Sequence, residues 1–138
     1  MFNLVRRDGA RENSGHYEAL DPKSGAAYKV GQLVALDDGA AAVISGGADN
    51  ALKPYGVVER IHKNDAGNTV TGVTVLRITD EMEFEVVTTM TTSALKIGEK
   101  IVIATTGDTV TTGEVGEGKV GATFVADCGD GKIIVRFE

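Results

Sequence analysis

Tryptophan is absent from this chain, cysteine occurs once, proline twice, and only 5% of the residues are aromatic. A lone Cys128 rules out an intrachain disulfide, so no pairing ties the chain to an oxidising compartment. Cys128 reads as a small buried core residue. Carbohydrate-binding surfaces built on aromatic platforms are disfavoured by so few rings. Basic excess is missing too: 14 Lys and Arg stand against 20 Asp and Glu, a formal net charge of −6. A nucleic-acid partner needs a dense cationic surface to displace counterions, so none is expected. No apolar stretch approaches the roughly 20 residues that span a bilayer, and no membrane partner is expected. Charges follow Met1–Val5 at once, unlike a secretory leader, so the chain is expected to be made in a cytoplasm.

Catalytic signatures are equally scarce. There is no Gly-x-Ser-x-Gly elbow, no His-Glu-x-x-His, no paired cysteines and no Lys-Ser/Thr after the glycines at Gly46-Gly47. His16 and His62 are the only histidines and read as surface residues. Glu81, Glu83 and Glu85 alternate along one strand face, which reads as the wet side of Met82, Phe84 and Val86 rather than a cation site. Asp127-Cys128-Gly129-Asp130-Gly131 lacks the ligand ladder and closing Glu of a calcium loop. No cofactor, no metal and no catalytic residue are expected, and the chain does not read as an enzyme.

What is present is Val, Ile, Thr, Ala and 18 Gly in 138 residues. β-Branched side chains suit a pleated surface and glycines suit tight turns, so the composition is all-β. Strands are expected near 32–37, 40–45, 54–61, 70–78, 82–90, 100–104, 108–112, 119–126 and 131–137. Glycine turns separate them at Asp37-Asp38-Gly39, Ser45-Gly46-Gly47, Asp65-Ala66-Gly67-Asn68, Thr106-Gly107-Asp108 and Asp130-Gly131. The expected architecture is a small β-barrel or β-sandwich of short antiparallel strands. Pairing 70–78 with 82–90 would set Leu76 opposite Phe84 and Arg77 opposite Glu83; alternatively these strands lie in different sheets. Thr91–Lys96 reads as an ordered turn.

One phrase occurs twice: Lys29-Val30-Gly31-Gln32-Leu33-Val34-Ala35-Leu36 returns as Lys96-Ile97-Gly98-Glu99-Lys100-Ile101-Val102-Ile103. Each copy leads through an acidic glycine turn to a further apolar run, Tyr55-Gly56-Val57-Val58 and Val120-Gly121-Ala122-Thr123. The two copies read as equivalent quarters of one barrel or sandwich, with the 70–90 strands between them. Residues 1–27 lack either periodicity and read as a loose N-terminal arm ahead of a single β domain at 28–138. Short strands near Phe2–Val5 and Tyr17–Leu20 are admissible within that arm. It is either a frayed terminus or a segment that orders on a neighbouring subunit. In the second case Arg6, Arg7, Arg11, Tyr17 and Leu20 are the candidate interface residues.

Several elements, in order, resemble the small β-barrel head decoration, or cement, proteins of tailed bacteriophages. They are Tyr28–Val34, Lys53-Pro54-Tyr55-Gly56-Val57-Val58, Val75–Glu85, Leu95–Ile101 and Lys132–Phe137. The resemblance implies a non-enzymatic virion protein on the capsid exterior. Such a protein bridges major capsid protein subunits against internal pressure, often as a homotrimer, and is made in the bacterial host cytoplasm. The alternatives are another virion or surface β-module (tail, baseplate or carbohydrate-binding) and a small β-barrel enzyme using His62.

Overall fold

The computed structural model describes residues 1–6, 16–44, 53–116 and 120–137. Among these residues eleven strands carry the fold: β1 Asn3–Arg6, β2 Tyr17–Pro22, β3 Leu33–Asp37, β4 Ala40–Val43, β5 Gly56–Lys63, β6 Val70–Arg77, β7 Glu83–Val87, β8 Lys100–Ile103, β9 Val110–Thr111, β10 Ala122–Gly129 and β11 Lys132–Arg136. The nine strands expected after residue 28 are all among them. β2-β4-β3-β5-β6 form a closed barrel, and β1-β7-β11-β10-β8-β9 form a six-stranded sheet.

The second sheet repeats the first. Taken in chain order, β2 to β6 and β7 to β11 follow the same pairing pattern, with β1 added outside β7. The registers coincide: Val58 pairs with Val75 and Val57 with Leu76, as Phe124 pairs with Val135 and Thr123 with Arg136. A β-bulge then interrupts both ladders at one place, between Val58 and Arg60 and between Phe124 and Ala126. Leu20 opposite Val73 matches Val86 opposite Ile133, and Leu33 opposite Val57 matches Lys100 opposite Thr123. The barrel closes through the parallel pairs Asp21–Ala40 and Pro22–Ala41. At the corresponding seam of the second sheet the Thr109 hydroxyl donates to the Val87 carbonyl, and the Thr88 hydroxyl donates to the Val110 carbonyl at 3.1 Å.

The repeated phrase is the entrance to β3 and to β8, one in each half rather than both in a single barrel. In each copy the backbone turns back on itself, Gln32 N–H to Lys29 C=O (3.2 Å) and Glu99 N–H to Lys96 C=O (3.0 Å). The side chain of the same residue then accepts from the first amide, Lys29 N–H to Gln32 Oε1 and Lys96 N–H to Glu99 Oε2. Gly31 (φ 84°) and Gly98 (φ 90°) occupy the left-handed position that the turn demands. Both glycines donate across to the later strand, to Val58 C=O and Phe124 C=O. The register sets Gly56 against Ala122, so the match of Gly56 with Gly121 read from the sequence is one residue out.

Two cores result. Leu20, Tyr28, Val34, Ala41, Val58, Val73 and Val75 fill the barrel. Phe84, Val86, Ile101, Ile103, Val110, Ala122, Phe124, Ile133 and Val135 lie on the inner face of the second sheet. The opposite face of the barrel wall, Leu33, Ala35, Val57 and Leu76, joins this second cluster, so β3, β5 and β6 are buried on both faces. The 104–109 turn holds the halves together, with Leu33 N–H donating to Gly107 C=O at 2.7 Å and Gln32 Nε2 to Thr106 C=O at 2.7 Å.

Three expectations are corrected. The described parts of the 1–27 segment are not loose: β2 is a barrel strand, and β1 extends the second sheet beside β7. Phe2 is buried and packs edge-on against Phe137 at 5.2 Å, an apolar contact that holds the strand down. The second correction concerns 70–78 and 82–90, which do not pair with each other. β6 pairs with β2 and β5, β7 with β1 and β11, so the alternative of different sheets holds. Third, Cys128 is exposed, because it lies beyond the bulge on the protruding end of the β10–β11 hairpin.

Candidate interaction surfaces

The residues singled out as interface candidates do not form one cluster. Arg6 ends β1 opposite Glu83 in the ladder, and Arg7 and Arg11 lie outside the described residues. Tyr17 opens β2 and is about half exposed, whereas Leu20 is buried inside the barrel, out of a neighbour's reach. The Ser45-Gly46-Gly47 turn also lies outside the described residues.

The alternating glutamates share the outer side of β7 but are unequally wet: Glu81 is exposed in the preceding turn, whereas the Glu83 side chain is only 12% exposed. Glu83 pairs with Arg136 at 2.8 Å and Glu85 with Lys132 at 4.0 Å, while Met82, Phe84 and Val86 are buried behind them. His62 is exposed, its Nε2 lying 2.8 Å from the Thr74 hydroxyl. At the hairpin end, Asp127 accepts from the Thr92 hydroxyl (2.6 Å) and from Gly129 N–H (2.8 Å). These bonds hold its carboxyl below the usual aspartate range. No group of three or more His, Cys, Asp or Glu residues among the described residues is placed to hold a metal ion. No helix among them is long and apolar enough to cross a membrane.

Two features stand out that sequence reading did not isolate. The first is the pair of turn tips. Val30 and Ile97 occupy the same corner of the duplicated turn, and they are 49% and 82% exposed. The tips are rigid, being fixed by a backbone bond, a side-chain bond and a cross-strand bond each. Met1 packs beside Gly31, whereas a Cβ on Gly98 would meet nothing within 4 Å.

The second is an open cleft of about 300 Å³ at one end of the barrel, lined by Leu36, Lys53, Pro54, Tyr55, Arg77 and Ile78. The Tyr55 hydroxyl donates to Glu18 Oε2 at 2.5 Å, and the Arg77 guanidinium lies 5.2 Å from the Tyr55 ring centre. Hydrogen bonding to Glu18, then burial and the Glu18 charge, push the phenol above its ordinary value, and the Arg77 charge opposes them. These residues are scattered through the sequence, and only the β3–β5–β6 pairing gathers them. Their separate signals, a Lys-Pro-Tyr and a strand-end Arg, are too common to mark a site.

Comparison of the chain with protein-family models, with curated proteins and with solved structures gives no significant match.

Proposed function

We propose that this chain is a non-enzymatic structural protein of a phage virion. In this reading it binds the outer surface of the capsid and stabilises it by bridging major capsid protein subunits. The observation that carries the proposal is the ordered likeness of five segments within residues 28–138 to head decoration proteins. The geometry favours a scaffold that binds through its surface, since the duplicated β-halves present stiff apolar tips at Val30 and Ile97. A capsid offers the same partner surface many times, so several modest contacts per molecule add up to stable occupancy. Trimer formation belongs to the same proposal, by resemblance.

The test is co-sedimentation of the purified protein with expanded heads of the phage whose genome encodes it. Saturable binding is expected. Ile97→Ser should weaken it without lowering thermal stability, because so exposed a side chain contributes little to folding. Absence of binding at micromolar concentrations would remove the capsid reading. Light scattering that finds only monomer at high concentration would remove the trimer and leave capsid binding open to the first assay.

A further inference from the structure

We infer that the open end of the first barrel is a binding site for an extended peptide segment carrying a carboxylate next to an apolar side chain. The duplication provides the first argument. Arg77 follows Leu76 as Phe137 follows Arg136, and Leu36 stands in β3 where Ile103 stands in β8. In the second half this end is closed: Ile103 and Phe137 are buried, and Phe2 of the N-terminal segment packs on Phe137. Among the described residues, the same end of the first half has no such plug. Leu36 is left 40% exposed and the cleft remains. One half therefore displays, already occupied, the apolar-residue site that the other half leaves open.

Charge supplies the second argument. Arg77 and Lys53 flank the cleft, and neither has an ion pair among the described residues, in a chain of net charge −6. The Tyr55 hydroxyl is already committed to Glu18, and its ring steadies the guanidinium. A guanidinium held over a ring keeps in-plane N–H groups for a carboxylate, which it takes in a two-pronged fashion. Leu36, Pro54 and Ile78 form the apolar lining. A free inorganic anion would leave that lining uncovered, and a purely apolar segment would leave two cations unmatched. The site is thus defined by both chemistries together, and it does not depend on the capsid reading.

The probe is the blocked dipeptide acetyl-Phe-Glu-amide, titrated into isotope-labelled full-length protein and followed by amide chemical shifts. Acetyl-Phe-Gln-amide and acetyl-Ala-Glu-amide are the controls. Saturable shifts centred on Leu36, Tyr55, Arg77 and Ile78 are expected, with a Kd on the order of 1 mM for so small a ligand. Either control should bind at least roughly ten-fold more weakly, since each removes the charged or the apolar half of the recognition. Arg77→Gln should weaken the probe similarly, and Lys53→Gln, on an exposed side chain, gives a second reading if Arg77→Gln perturbs the fold. Three results would each overturn the inference: no saturable shifts, equal binding of all three peptides, or unchanged binding in both variants. Any of these would leave the capsid co-sedimentation result untouched, so the two proposals fail separately.

Discussion

The duplicated turn contains its own control. Gly31 and Gly98 have the same left-handed backbone, φ 84° and 90°, and the same hydrogen bonds. An alanine at either position bears the left-handed penalty of roughly 1–2 kcal/mol. Their surroundings differ. A Cβ on Gly31 would stand 1.8 Å from Cγ and 2.7 Å from Cβ of Met1, whereas a Cβ on Gly98 meets nothing within 4 Å. Gly31→Ala must therefore push Met1 aside. Met1 is half exposed, so displacing it forfeits about 1 kcal/mol, around half of what full burial of such a side chain is worth. The bond from its amino terminus to the Asp108 carbonyl adds roughly 0.5–1 kcal/mol more. Gly98→Ala should thus cost about 1–2 kcal/mol and Gly31→Ala about 2.5–4 kcal/mol. For a chain of this length 1 kcal/mol moves Tm by about 3–4 °C, so the variants should melt about 5–8 °C apart. Urea and thermal unfolding followed by far-ultraviolet circular dichroism measure the difference. Equal losses, or a greater loss for Gly98→Ala, would refute the claim that Met1 is packed on the first turn.

Three further outcomes are expected. Phe2→Ala should cost about 3–5 kcal/mol, because the ring is buried in the shared core, and lower Tm by more than about 10 °C. A shift within experimental error would restore the loose-arm reading of the N-terminus. Glu83→Gln keeps the side chain's shape but weakens a 2.8 Å charged bond to Arg136, so a loss of about 1–2 kcal/mol is expected in urea unfolding. Tyr55 should ionise above the ordinary tyrosine value in an absorbance titration at alkaline pH. Its phenol is raised in the folded state, so the unfolded chain loses that proton first. The stability it contributes is complete below the ordinary tyrosine value near 10 and is lost as pH rises through the folded value. In Tyr55→Phe this alkaline loss should shrink, and an unchanged alkaline profile would contradict the Glu18 contact.

Strand positions were legible because the signals are local. Alternation of β-branched residues marks β5, β6 and β7, and Asp38-Gly39 and Asp130-Gly131 mark two-residue hairpins with both residues at positive φ. The full duplication was not legible, because the two halves exchange turn lengths. A two-residue turn joins β3 to β4 while a six-residue turn, 104–109, joins β8 to β9. Between β5 and β6 the long turn is 64–69, and between β10 and β11 the short one is 130–131. Each exchange shifts the spacing, so the likeness of the copies fades after the Lys-apolar-Gly phrase although the registers agree. The cleft was hidden for a related reason. Leu36, Tyr55 and Arg77 meet only when β3, β5 and β6 pair, and the contrast with Phe137 becomes visible only once the halves are superposed by register.

The equivalent positions that differ make the two halves unequal as docking faces. Across β3, β5 and β6 runs a row of facing residues, Leu33–Val57–Leu76, all buried against the second half. The matching row across β8, β10 and β11 is Lys100–Thr123–Arg136. Here the Lys100 amine donates to the Thr123 hydroxyl at 2.6 Å and Arg136 pairs with Glu83. A head-to-tail contact between repeated units continues without end if every unit carries the same two complementary faces. Replacing three apolar residues by a lysine, a threonine and an arginine removes the second copy of the docking face. These polar partners are already largely screened from water, Thr123 being 5% and the Glu83 side chain 12% exposed, so an apolar surface seated over them would gain less than it does on the Leu33–Val57–Leu76 row. The polar row therefore gives the second half no copy of the apolar face through which the first half joins it.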